Sequence, residues 1–348
     1  MLMYVCSDIL MMLEYQLKNE ADADLECSEL SKLIRMSNWT MPSLFLGMEI
    51  EYGDGVTLLR FTSKILEMKE RFQDVIGFYN PKGRKRLTWL PSNALGDNEI
   101  FSEEQLRGLG EEMASQYRAI VGSSNYVSTL RPDVKFPQHV VAGRMANPRE
   151  WDMFCVIWYL EYMIETADYP LVLGGPQVSL EAMSDASFGI MPERRSIKSH
   201  FVRTSPLAGA IEASVDTIRV AVNSVWEAEV MAASDGIDSL RYFDNVCDEL
   251  HFDRCELSKV RVDSESGMEW FESSRINQRS RHIQTRYYHN KHSVQDRQVN
   301  MEFVKGEDND SDLITKIHYA ARINKLTQRI LGHRLVLGQG YAGVIEDV

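Results

Sequence analysis

Four acids in the second half of the chain stand beside expected secondary-structure boundaries. Asp185 closes a strand in Ser184-Asp185-Ala186-Ser187, and Glu227 opens a long helix in Trp226-Glu227-Ala228-Glu229. Asp263 closes a strand in Arg261-Val262-Asp263-Ser264, and Asp312 opens a late helix in Ser311-Asp312-Leu313. Strand ends and helix starts lie along the edge of an α/β layer, where side chains from distant segments can converge. Converging carboxylates repel one another, so a shared site calls for a cation. Hard Mg²⁺, or Mn²⁺ in its place, takes oxygen ligands. Two such ions about 4 Å apart can activate a water and stabilise the leaving oxygen of a phosphodiester. The plainer reading is that acids at helix starts support the helix dipole.

The elements that must position these acids follow from periodicity. Two strands, Ser43–Glu51 and Val56–Phe61, flank the turn Gly53-Asp54-Gly55. A helix to about Phe72 follows, with Thr62 or Ser63 as its cap. Residues 77–111 are rich in Gly and Pro and read as a linker. Helices are expected over 112–129, 133–145 and 149–165. From Tyr169 the pattern changes to strands at 170–185, 196–204 and 217–224, then a helix from Trp226 to about Leu250. A strand near 259–263, a short helix near 266–274, a basic helix near 279–292, a strand at 299–304 and a helix from about 311 complete the chain. This order predicts an α+β or mixed α/β protein whose later part is a mixed sheet with flanking helices.

Composition bounds the possibilities. The 348 residues are 44% hydrophobic and 26% charged, enough for two globular domains. No apolar run reaches the roughly 18 residues of a membrane span. Asp8 and Glu14 interrupt the apolar N-terminus and no basic stretch precedes it, so no signal peptide is expected. The five cysteines include no Cys-x-x-Cys pair and read as free thiols in a reducing compartment. An intracellular location, in a cytoplasmic particle or the nucleus, is the expectation. The net charge of −13 is unusual for a nucleic-acid binder, but it is unevenly spread. Residues 275–298 carry Arg275, Arg279, Arg281, Arg286, Lys291, Arg297 and three histidines against the single acid Asp296, and residues 80–86 form a second basic run. Either run can be a solvated face or a phosphate contact.

A series of motifs resembles the copia-type retrotransposon pol polyprotein. Phe45-Leu46-Gly47-Met48-Glu49-Ile50 is similar to the family's FLGxxI, and Tyr117 to Ser123 with Arg131-Pro132-Asp133 to its YRxIVGSxxY…TRPD. Asp185 matches the acid of the family's SDAD/SDAS strand, Glu227 the first glutamate of STEAEY, Asp263 that of DNxSA and Asp312 that of ADxLTK. Arg281-His282-Ile283-Gln284-Thr285-Arg286-Tyr287 resembles KHIDIRY. Each motif is weak alone, but their common order along nearly the whole chain is specific.

The resemblance implies a truncated reverse transcriptase palm remnant over 1–78, a linker and helical connection over 79–168, a ribonuclease H-like domain with a five-stranded mixed sheet over 169–320, and a C-terminal helix and tail over 321–348. It implies that Asp185, Glu227, Asp263 and Asp312 bind two Mg²⁺ or Mn²⁺ ions and cleave the RNA strand of an RNA–DNA hybrid. Arg279, Arg281, His282 and Arg286 would bind nucleic acid, and other parts of the polyprotein are candidate partners; no membrane partner is expected. The family's Tyr-Val-Asp-Asp polymerase turn is reduced here to Tyr4, Val5 and Asp8, with Cys6 and Ser7 between, so no working polymerase is expected. Altered neighbours such as Trp226 and Gly267 leave a second reading open, an inactive fragment that keeps the fold, inert or acting as a binding module.

Overall fold

The computed structural model describes residue 32 and residues 42–96, 100–175, 177–252, 254–273 and 285–336. The remnant polymerase motif at Tyr4, Val5 and Asp8 lies outside these residues.

The first sheet grows from a hairpin. Strands β1 (Leu44–Phe45), β2 (Met48–Gly53) and β3 (Val56–Arg60) pair antiparallel. Gly53 faces Val56 across a two-residue turn in which Gly55 takes φ +70°, a conformation that favours glycine. Helix α1 (Thr62–Arg71) follows, but neither expected side chain caps it. Thr62 instead donates its hydroxyl to Ala167 O at 3.0 Å, tying the helix start to a distant segment. Helix α2 (Gln73–Tyr79) extends into the expected linker. That linker is not loose. Trp89 is fully buried and donates its indole N–H to Asp133 O at 3.1 Å.

Helices α3 (Glu103–Leu106), α4 (Glu111–Val127), α5 (Lys135–Ala142) and α6 (Glu150–Glu165) form the connection. The Arg131-Pro132-Asp133 signature locks them together. Buried Arg131 makes a two-pronged pair with Asp133 at 2.8 Å and donates to Thr166 O at 2.8 Å. In the basic run at 80–86, Arg86 lies 2.9 Å from Glu161 and stacks over Trp158, so it is held by protein groups.

Strand β4 (Leu171–Gly174) then pairs antiparallel with β3, completing a four-stranded sheet in the order β1-β2-β3-β4. The expected segment 170–185 is therefore two strands in two sheets. The second sheet holds β5 (Glu181–Met191), β6 (Arg195–Arg203), β7 (Ala210–Thr217), β8 (Lys259–Val262) and β9 (Asn300–Phe303) in the order β7-β6-β5-β8-β9. The first three run antiparallel, and β8 and β9 run parallel to β5. Strand β7 replaces the expected strand at 217–224. Ala213 pairs with Phe201, and the chain leaves the sheet after Thr217. The alternating Ile218, Val220 and Val222 resemble a strand locally, but the sheet ends here with the Ile218 N–H donating to Ser196 O at 2.8 Å.

Helix α7 (Val225–Glu249) covers one face of this sheet, packing among Ala182, Val202 and Val260. Helices α8 (Glu265–Glu272) and α9 (Thr285–Gln295) flank it. The opposite face, with Met183, Ile197, Phe201 and Ala213, joins the core of α4 to α6. The two faces alternate residue by residue, as strand geometry requires. The core therefore runs unbroken across the expected boundary at 169. After β9 the chain forms a 3₁₀ turn, Asp310–Ile314, and helix α10 (Ala320–Ile330). The helix expected from 311 thus begins later, because Asn309 accepts the Ser311 N–H and tightens the backbone into a turn. Among the described residues, no helix is long and apolar enough to cross a membrane.

Candidate metal centre

Strand register brings the first two acids level. Glu181, Ala182 and Met183 of β5 pair in parallel with Lys259, Val260 and Arg261 of β8. Continuing that register by two residues sets Asp185 opposite Asp263, on strands about 4.8 Å apart. Asp263 follows the end of β8, as expected, whereas Asp185 lies in mid-strand because β5 runs on to Met191.

The third acid is Glu229. Asp185, Glu229 and Asp263 each offer a carboxylate oxygen, and these oxygens all lie within 4.8 Å of one another. Glu227 does not join them. Two helical residues rotate the side chain by about 200°, so Glu227 and Glu229 face nearly opposite ways. Ser224 caps α7 by accepting the Glu227 N–H at 3.2 Å, and the Glu227 carboxylate folds back onto the Asn223 N–H at 2.8 Å. Glu229 heads the buried row Ala233, Gly236, Leu240, Phe243, Cys247, but Glu227 heads a buried row as well, through Val230, Met231, Ser234 and Ile237, so helical spacing alone does not separate the two acids.

Asp312 stands beside the three acids, outside the close group. Lys316 bridges the gap: its ammonium bonds Asp312 Oδ1 and lies 3.3 Å from Asp185 Oδ2. Arg322 approaches Asp312 Oδ2 at 3.4 Å and His318 at 3.6 Å. Thr315 donates its hydroxyl to Asp185, and Asn309 donates to Ser184 O at 3.0 Å. A Cβ added to Gly306 would stand 3.3 Å from Asp263 Oδ2, so a side chain there would crowd the site. Buried Arg203 holds this acid-bearing loop to the sheet through Glu181 and through Asp310 at 3.4 Å.

Burial, and repulsion from neighbouring acids, raise the proton affinity of all three grouped acids. Glu229 is pushed up to about 9, by burial first and then by Asp185 and Asp263. Burial lifts Asp185 to about 6 against the pull of Lys316 and Thr315. Asp263 is raised too, mainly by burial. The donor set fits a hard divalent cation. Oxygens on one Mg²⁺ lie about 3 to 4 Å apart at bonds near 2.1 Å, so the group needs only slight contraction.

The predicted nucleic-acid residues Arg279, Arg281 and His282 lie outside the described residues. Arg286 falls in the first turn of α9, and only its backbone is described. Lys291 of the same basic run is buried, with its ammonium 4.6 Å from the centre of the Trp270 ring. It is thus unavailable to phosphates.

The strand order and the parallel placement of β8 and β9 beside β5 give the five-stranded mixed sheet expected of a ribonuclease H-like fold. The chain is similar to the retrovirus-related Pol polyprotein from transposon TNT 1-94 of Nicotiana tabacum, with 25% identity over 292 residues. That match covers 83% of this chain and spans about a fifth, 21%, of the relative's length. The motif resemblance to retrotransposon polyproteins therefore extends to a sequence similarity over those 292 residues. No family model matches the chain. Among solved structures, the N-terminal RNase H domain of rv2228c from Mycobacterium tuberculosis aligns at 15% identity and a TM-score of 0.30, covering 44% of this chain and 98% of that one. LC11-RNase H1, isolated from compost, aligns at 14% identity and a TM-score of 0.30, covering 46% and 99%.

Proposed function

We propose that this chain carries a divalent-metal nuclease site of the ribonuclease H type, acting on the RNA strand of RNA–DNA hybrids as part of a retrotransposon polyprotein. The observation that carries the reading is the convergence of Asp185, Glu229 and Asp263 at the meeting of two parallel strands and a helix. Two buried carboxylates and a half-buried third this close are costly without a cation to share. Asp185, Glu229 and Asp263 would hold the metal, with Asp312 as a fourth acid at the rim. Bound Mg²⁺ or Mn²⁺ would supply Lewis-acid activation of water and charge stabilisation at the phosphodiester. The chain's own groups do the positioning. Thr315 and Lys316 orient Asp185, Asn309 ties the loop to β5, and Gly306 leaves room beside Asp263. The 2′-hydroxyls of the hybrid's RNA strand distinguish it from DNA, and the basic segment around Arg279, Arg281, His282 and Arg286 would meet backbone phosphates.

The test is cleavage of a hybrid labelled in its RNA strand. The purified chain should cleave it in Mg²⁺ or Mn²⁺ and not in EDTA, and Asp263→Asn should abolish cleavage without unfolding the protein. Cleavage that survives Asp263→Asn would refute the assignment. A folded wild-type chain that cuts nothing in either metal would favour the inactive-fragment reading.

A further inference from the structure

The gap between Asp185 and Asp312 already holds a positive charge. The Lys316 ammonium bonds Asp312 Oδ1 and stands 3.3 Å from Asp185 Oδ2. Asp312 is further matched by Arg322 at 3.4 Å and His318 at 3.6 Å. One carboxylate thus faces two cations and an imidazole, and a second divalent ion entering there would meet like charge at close range. The two cations differ in freedom. Arg322 is anchored by donating to Glu307 O at 2.7 Å and to Gly306 O at 3.3 Å. Lys316 lies between the 3₁₀ turn and α10, and its side chain is 41% exposed. A lysine is a compact charge on a flexible stem, and here the stem has solvent to swing into.

We propose that Lys316 is a tethered cation standing in for a second metal ion. With the lysine in place, Asp185, Glu229 and Asp263 take one divalent ion. A second binds between Asp185 and Asp312 only when Lys316 swings out. The inference rests on the metal-site reading above and adds to it the residue that sets how many ions bind.

The experiment counts bound Mn²⁺ on the full chain by electron paramagnetic resonance and calorimetric titration, comparing wild type with Lys316→Met and Lys316→Arg. Wild type and Lys316→Arg should take one tight ion. Lys316→Met should gain affinity for a second by about tenfold or more, since a full charge leaves the gap. Lys316→Gln repeats the neutral test if the Met form melts before titration. Matching isotherms for wild type and the neutral variants would overturn the inference and leave the metal site standing. So would a second ion in the Arg form, which keeps the charge. A wild-type chain that binds no Mn²⁺ would overturn the metal site itself, and the inference with it.

Discussion

Glu227 and Glu229 differ by two positions and do different work. Glu229→Gln should weaken Mn²⁺ binding by roughly tenfold or more, since it removes a charged ligand from the group. Glu227→Gln should leave metal binding unchanged and cost about 1 kcal/mol in unfolding free energy, the worth of a charge-assisted bond at a helix start. Titration with thermal melts separates the two, and the reverse pattern would return Glu227 to the site. Proton linkage gives a second check on Glu229. Its carboxyl is pushed from an ordinary 4.5 up to about 9, first by burial. The folded protein therefore keeps a proton that the unfolded chain releases. The associated stability is full below pH 4.5 and is lost as pH rises toward 9. Metal-free wild type should lose melting temperature relative to Glu229→Gln across that window, and Mg²⁺ should narrow the loss. Melting curves that run parallel with pH would contradict this.

At the scale of elements, the loop from Gly306 to Tyr319 governs the site more than any strand does. It supplies Asn309, Asp312, Thr315 and Lys316, and it passes so close to Asp263 that a Cβ at Gly306 would stand 3.3 Å from the carboxylate. Gly306 has ordinary backbone angles, so Gly306→Ala should not strain the chain and can stabilise it by about 0.4–1 kcal/mol through the unfolded state. The same methyl should push the Asp263 carboxylate aside and weaken Mn²⁺ binding several-fold. A rise in melting temperature with a fall in metal affinity is the expected signature; unchanged affinity would mean that the loop yields freely. The basic segment is the other element with a functional role. Neutralising Arg279, Arg281 and Arg286 together should flatten the salt dependence of hybrid binding by up to about 0.9 log units per lost phosphate contact. An unaltered slope would make the segment a solvated face.

Across the whole molecule, the ribonuclease H-like sheet has no second face of its own. Its Met183, Ile197, Phe201 and Ala213 share a core with Phe136, Val140 and Tyr159, and β4 belongs to the sheet of β2 and β3. The C-terminal part returns to the first sheet as well, where buried His333 bonds Pro170 O, just before β4, at 2.9 Å. A fragment of residues 169–320 would expose that apolar face and lose α10. It should therefore unfold without cooperativity or aggregate, whereas the full chain should melt in one transition across both sheets. A sharp, reversible transition in the isolated fragment would show that the shared core is dispensable.

The amino-acid sequence by itself determined what local physics can specify. The Gly53-Asp54-Gly55 hairpin, the long helix from 225 to 249, and strands β8 and β9 follow from turn chemistry and periodicity over a few residues. Asp185 and Asp263 were legible as partners because each has its own motif, one within a strand and the other just past a strand's end. The choice between Glu227 and Glu229 was not, since a motif match ranks them by position in a string while a helix ranks them by angle. That angle has meaning only once α7 lies on β5 and β8. The place of Asp312 and the reach of Lys316 depend on a 3₁₀ turn fixed by Asn309 and Arg203, contacts that span more than a hundred residues. The union of the two halves was equally hidden. Consecutive apolar strand residues such as Phe201 and Val202 show that both faces are covered, but only the tertiary structure decides which distant helices cover them.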